Sequence, residues 1–131
     1  MKQTDYAFTK IVGYSFEDAV LKAIESLKGE GFGILSEIDV KETLKSKLNV
    51  NFRPYKILGA CNPPFAYKSL QAEEQIGLML PCNVIVYVNE NGKTVVAAID
   101  PVASMKAVKN ELLGKVAETI QDKLKRVINN M

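Results

Sequence analysis

Val84-Ile85-Val86-Tyr87-Val88-Asn89-Glu90-Asn91-Gly92-Lys93-Thr94-Val95-Val96-Ala97-Ala98-Ile99 is the stretch that decides the fold. Val84–Val88 and Thr94–Ile99 are rich in β-branched and apolar residues, the composition that suits a pleated, buried surface. Asn91-Gly92 lies between them, and both positions tolerate the positive φ that a tight hairpin requires. The chain therefore contains an antiparallel hairpin, and its other elements have to be arranged around it.

Upstream, Arg53 to Cys61 reads as a strand with Tyr55, Ile57, Gly59 and Cys61 on one face by the period of two. Asn62-Pro63 follows as an N-cap with proline in the first turn of a helix running to about Ala72. Gly33 to Asp39 reads as another strand. Ile34 and Ile38 share one of its faces, and Leu35, Glu37 and Asp39 share the other. Asp39 then caps a short helix, with Glu42 at capping-box spacing. Residues 4–12 form the first strand, and Ser15 caps a helix whose apolar face is Phe16, Ala19, Val20, Ala23, Ile24 and Leu27. Downstream, Asp100-Pro101 repeats the cap-plus-proline start. Met105, Val108, Leu112, Val116, Ile120, Leu124 and Val127 then mark a long amphipathic helix, with Asn110 or Gly114 as a possible break. The order is strand, helix, strand, short helix, strand, short helix, two hairpin strands, long helix. It predicts an α+β two-layer sandwich, a largely antiparallel sheet with the two longest helices on one face.

The 131 residues fit one domain spanning 1–131. Apolar content of 47% and charged content of 24% leave enough hydrophobic material for a core without disulfide staples. Seventeen basic against 15 acidic residues give a net charge of +2, too balanced to predict nucleic acid or an anionic membrane as partner. Histidine is absent, which removes Ser-His-Asp and Cys-His catalysis and most transition-metal sites. The first residues lack the apolar core of a signal peptide. The longest apolar stretch, Ile76 to Val88, is too short to cross a bilayer and is interrupted by Pro81 and Asn83. These features predict a cytoplasmic protein with free thiols.

The only two cysteines stand in Gly59-Ala60-Cys61-Asn62-Pro63-Pro64 and Leu80-Pro81-Cys82-Asn83-Val84. In each, an amide follows the thiol and proline lies close by, which places both thiols at junctions between elements. Cys61, just before a helix start, would meet unpaired N–H groups that favour a thiolate. If the two strand ends are neighbours, Cys61-Asn62 and Cys82-Asn83 converge on a small-ligand or thiol-dependent site, with Arg53, Glu37 and Asp39 at its rim. The competing reading is structural: free cysteine behaves as a small buried hydrophobe, and Asn beside Pro is ordinary cap chemistry. Two thiolates without histidine suit only a soft ion with few ligands, so no metal is expected. No phosphate loop, dinucleotide fingerprint or zinc spacing is present, and the cofactor is left unassigned. The near-continuous apolar run from Ile76 to Val88 and the long C-terminal helix supply more apolar surface than one sheet face needs. A non-catalytic homodimeric interaction module is therefore the alternative function.

Three ordered segments, Gly31 to Lys41, Phe52 to Pro64 and Ile76 to Val84, resemble the domain-of-unknown-function family 302. The resemblance implies a small bacterial or archaeal cytoplasmic protein with a fold like the TATA-binding-protein sandwich. It implies no activity and transfers no catalytic residue.

Overall fold

The computed structural model describes all 131 residues. Its elements run β1 (Lys2–Gln3), β2 (Ala7–Val12), α1 (Phe16–Gly29), β3 (Gly33–Asp39), α2 (Val40–Leu48), β4 (Tyr55–Cys61), α3 (Pro63–Ala72), a 3₁₀ segment (Glu74–Met79), β5 (Cys82–Val88), β6 (Thr94–Ile99), α4 (Pro101–Ser104) and α5 (Glu111–Asn129). The six strands form one sheet in the order β1-β2-β6-β5-β4-β3, and every pair is antiparallel. The predicted two-layer α+β architecture is the one observed.

Strand alternation sorts the side chains into two faces. Phe8, Leu58, Val84, Val86, Val96 and Ala98 point into a core closed by Ala19, Val20, Ala23 and Leu27 of α1 and by Ile120, Leu124 and Val127 of α5. α1 buries the stripe that its periodicity marks, and α5 does so from Val116 onward; Leu112, expected on that stripe, is 52% exposed and its neighbour Leu113 is buried in its place. The other face presents Tyr55, Ile57, Ile85, Tyr87, Val95 and Ala97. Tyr55 and Tyr87 are directly paired and stack, with ring centroids 5.2 Å apart.

Local chemistry sets the element ends. Ser15 accepts the Asp18 N–H, Asp39 accepts the Glu42 N–H at 2.9 Å, and Asn110 accepts the Leu113 N–H at 3.1 Å. Each satisfies one of the donors a helix start leaves free. Gly31 occupies φ +87° at the turn out of α1, a conformation that side-chain-bearing residues rarely adopt.

Several boundaries differ from the sequence reading. Residues 4–12 are not one strand. Thr4 exchanges backbone and side-chain hydrogen bonds with Ala7, making a turn that separates β1 from β2. The strand expected from Arg53 begins at Tyr55, and the one expected from Val84 begins at Cys82. The long C-terminal helix is two helices: α4 ends at Ser104, residues 105–110 are turn and loop, Asn110 caps α5, and Gly114 lies inside α5. Ile34 and Ile38 do not share a face. The register shifts between Ile34, opposite Ala60, and Ser36, opposite Gly59, so Leu35 is the extra residue of a β-bulge. The apolar run from Ile76 is only partly buried: Leu78 is 86% exposed, and Ile85 and Tyr87 lie on the outer sheet face. Ile76, Met105, Leu113 and Ala117 make a second small core, and Cys82, Val84 and Val86 enter the main one.

Candidate functional site

The two thiols sit at neighbouring strand ends. Ala60 faces Cys82 across β4 and β5, so Cys61 follows immediately beside that pair. Neither cysteine is bonded; Cys61 is half-buried and Cys82 buried. Both line a cavity of about 340 Å3 at this end of the sheet, bounded by α3, α4 and α5. Of its 17 lining residues 13 are hydrophobic, which decides what it can hold: an apolar body. Phe65 and Leu70 come from α3, Pro81 from the turn into β5, Met105 from the end of α4, and Ile120 from α5. The Leu80–Pro81 peptide bond beside Cys82 is cis.

The polar groups on the wall are already engaged. Asn62 is 8% exposed, and its Nδ2 donates to the Glu30 carbonyl oxygen at 3.1 Å. Ser69 Oγ donates to the Phe65 carbonyl oxygen at 2.8 Å. Asn62 stands at the N-cap position of α3 as expected, yet its side chain caps nothing and instead fastens the α1–β3 turn. Its backbone oxygen takes the Phe65 and Ala66 N–H groups.

That arrangement corrects the expectation that Cys61 faces a cradle of free helix donors. Pro63 and Pro64 have no N–H, and the next two N–H groups are spent on Asn62. The proline pair that marks the helix start also empties it of donors. Burial pushes the Cys82 thiol up to about 11 from its ordinary 9.0, with the negative charge of Cys61 a smaller cause in the same direction. Cys82 is therefore a neutral thiol at physiological pH.

The other expected members lie elsewhere. Asn83 is exposed and pairs with Gly59 on the opposite face of the sheet from Cys82. Arg53 precedes the far end of β4, roughly 20 Å or more from Cys61 at strand rise, and its Nε donates to the Val88 carbonyl oxygen at 3.0 Å. Asp39 is occupied in capping α2, and Glu37 pairs with Lys56 at 3.8 Å. The period of two placed Glu37 and Asp39 together, but they stand on the outer strand away from the cavity. Most of the lining was outside the thiol argument, and four of the residues it missed, Phe65, Ala66, Ser69 and Leu70, come from α3. Their i, i+1, i+4, i+5 spacing is a one-faced helical pattern, readable in the sequence once α3 is known to face inward.

No helix is long and apolar enough to cross a membrane. No group of three or more histidine, cysteine or acidic side chains is placed to hold a metal ion. The family model described as "Domain of unknown function DUF302" matches residues 8–131. Among solved structures the chain is similar to an uncharacterized conserved DUF302 protein from Bacillus stearothermophilus, at 31% identity and a TM-score of 0.86, over 94% of this chain and 95% of that one. No curated protein matches.

Proposed function

We propose, for a chain that belongs to the DUF302 family, a function in binding a small apolar molecule in the cavity beside Cys61 and Cys82. The observation that carries the reading is the cavity itself, about 340 Å3 with an overwhelmingly hydrophobic wall. The cleft opens to solvent past Leu35 and Leu70, so water now meets an apolar wall that a small apolar ligand would bury instead. The volume suits a ligand of about ten heavy atoms, at about 30 Å3 each, a water's share of liquid volume. Cys82, on the core face of β5, serves as neutral lining, and half-buried Cys61 stands beside it at the end of β4. Two free thiols at adjacent strand ends fit a reducing, cytoplasmic setting.

Titration with 1-octanol, followed by calorimetry, tests the reading. Saturable one-to-one binding is expected, weakened at least about tenfold by Ala66→Leu, which fills the cavity from α3. A folded parent protein that shows no saturable binding of octanol or of other apolar probes of this size would sink it.

A second reading, self-association through the sheet, is favoured by the face opposite the helices. Across β2, β6, β5 and β4 that face carries no charged side chain; it presents Ile11, Val95, Ile85, Tyr87, Tyr55 and Ile57 among its members. A second copy packed sheet to sheet would cover it. Mass by light scattering across a dilution series decides: a monomer at every concentration removes this reading and leaves the cavity reading untouched.

A further inference from the structure

We infer that the molecule taken up by the cavity is a neutral amphiphile whose head both donates and accepts a hydrogen bond, the class of an aliphatic primary amide, and that Asn62 holds this head inside; this rests on the cavity reading above. Asn62 lines the cavity from the N-cap position of α3 and is only 8% exposed. Its amide offers a pair of N–H donors and a pair of lone pairs on Oδ1. The protein uses one donor, the Nδ2 hydrogen given to the Glu30 carbonyl oxygen. The second hydrogen is free. Oδ1 accepts nothing from the first turn of α3, where Pro63 and Pro64 have no N–H. Every side-chain nitrogen or oxygen sealed from solvent has a partner. Oδ1 has none and is therefore not sealed, and the open space that Asn62 borders is the cavity.

Ser69, the other polar side chain on the wall apart from the thiols, differs. Its hydrogen goes to the Phe65 carbonyl oxygen, so it can only accept. It also lies about 10 Å further along α3, at the helical rise. Asn62 alone offers a free amide donor beside a free acceptor. No charged side chain lines the cavity, so an ionised head taken inside would lose its water without a counter-charge. A pure hydrocarbon would displace water from Asn62 and leave its free groups without partners. A primary amide meets both demands. Its N–H gives to Oδ1, its carbonyl takes the second Nδ2 hydrogen, and its alkyl chain covers the apolar wall.

Heptanamide and 2-octanone, equal in non-hydrogen atoms and each with a carbonyl, test this by calorimetry, because only the amide can donate. Taking an amide out of water costs more than taking out a ketone, so a wall without the Asn62 anchor favours 2-octanone. Heptanamide is expected to bind about tenfold tighter than the ketone, and Asn62→Ala, shown to be folded by circular dichroism, should lose that preference. In the parent, which needs no variant, NOEs from the Asn62 side-chain amide protons should run to the C2 methylene of heptanamide and not to its terminal methyl. A ketone that binds as tightly as the amide overturns the inference and leaves the cavity reading standing. So does an amide preference that survives in the folded variant, or an NOE to the terminal methyl. If neither probe nor 1-octanol binds the folded parent, both readings fail together.

Discussion

Asn62 Nδ2 donates to the Glu30 carbonyl oxygen at 3.1 Å, joining the start of α3 to the turn between α1 and β3 across 32 residues of chain. The amide is almost fully buried and lies over Gly31, where an added Cβ would come within 3.3 Å of Asn62 Nδ2. Asn62→Ala leaves a buried carbonyl without its donor and opens the wall of the cavity. A loss of about 1–3 kcal/mol in unfolding free energy is expected, read as a lower urea midpoint with unchanged slope. Asn62→Asp removes the donor and adds a negative charge facing a carbonyl, and should cost more than the alanine. A variant as stable as the parent would mean that the hydrogen bond is idle.

Gly59 holds its place because nothing larger fits. It pairs with Asn83 on β5 and with Ser36 on β3, just past the bulge. A Cβ there would collide with Ser36 Oγ and stand 2.9 Å from Pro81 Cγ. Gly59→Ala is expected to destabilise by about 1–3 kcal/mol, with part of the loss returned by combining it with Ser36→Gly. The double-mutant cycle, measured by chemical denaturation, checks this; full additivity of the two changes would rule out the clash.

Much of this fold was legible because local chemistry and tertiary demand agree. The hairpin turn at Gly92, where Gly92 alone takes a positive φ and Asn89 Oδ1 accepts the Asn91 and Lys93 N–H groups, acts over a few residues, as do the caps at Ser15, Asp39 and Asp100 and the helical stripe of α1. The candidate site was legible only as the meeting of Cys61, Asn62 and Cys82. That meeting depends on β4 lying beside β5, a pairing the hairpin and strand order suggested. The misplacement of Glu37, Asp39 and Arg53 has a common cause. Parity along one strand says which face a side chain takes, but not which end of the sheet it occupies or what lies across from it. The bulge at Leu35 then breaks even the parity between Ile34 and Ile38, and nothing short of the β3–β4 register reveals it. The approach of Lys68 and Lys123 to the Phe65 ring was hidden for a similar reason: they are 55 positions apart and meet only through packing of α3 on α5.

The Glu30 carboxylate is held below its ordinary 4.5, chiefly by the hydrogen bonds from Arg126; desolvation opposes this as the next largest cause, and the charges of Arg126 and Lys123 add lesser lowering. A lowered carboxyl contributes stability that is present above the unfolded value and is lost as pH falls through the folded one. Arg126→Gln should therefore raise the Glu30 pKa toward its ordinary range and shift the acid limb of stability slightly upward. The pair is largely exposed, so its effect on stability at neutral pH should be small and should fade with salt. Carboxyl-carbon NMR titration of Glu30 in both chains reads the shift; an unmoved titration would refute the role given to Arg126.

Cys82 works in the opposite direction. Its thiol is raised from 9.0 to about 11 by burial first and by the Cys61 charge second. A raised group contributes stability fully present below the unfolded value and lost as pH rises through the folded one, so the window here is pH 9 to 11. The full shift corresponds to at most about 3 kcal/mol. Tyr55, also raised by burial and by the neighbouring Tyr87 and Tyr6 hydroxyls, adds a loss of the same sign above its ordinary 10.0. Cys82→Ala removes the thiol contribution and keeps that of Tyr55. Between pH 9 and 11 the parent should therefore lose stability more steeply than the variant, whatever the variant's lower stability at pH 7. In the parent at pH 8, iodoacetamide should modify half-buried Cys61 well before Cys82, as read by peptide mass spectrometry. Parallel pH slopes together with equal alkylation rates would show that Cys82 is neither buried nor neutral in solution, and the wall assigned to the cavity would have to be redrawn.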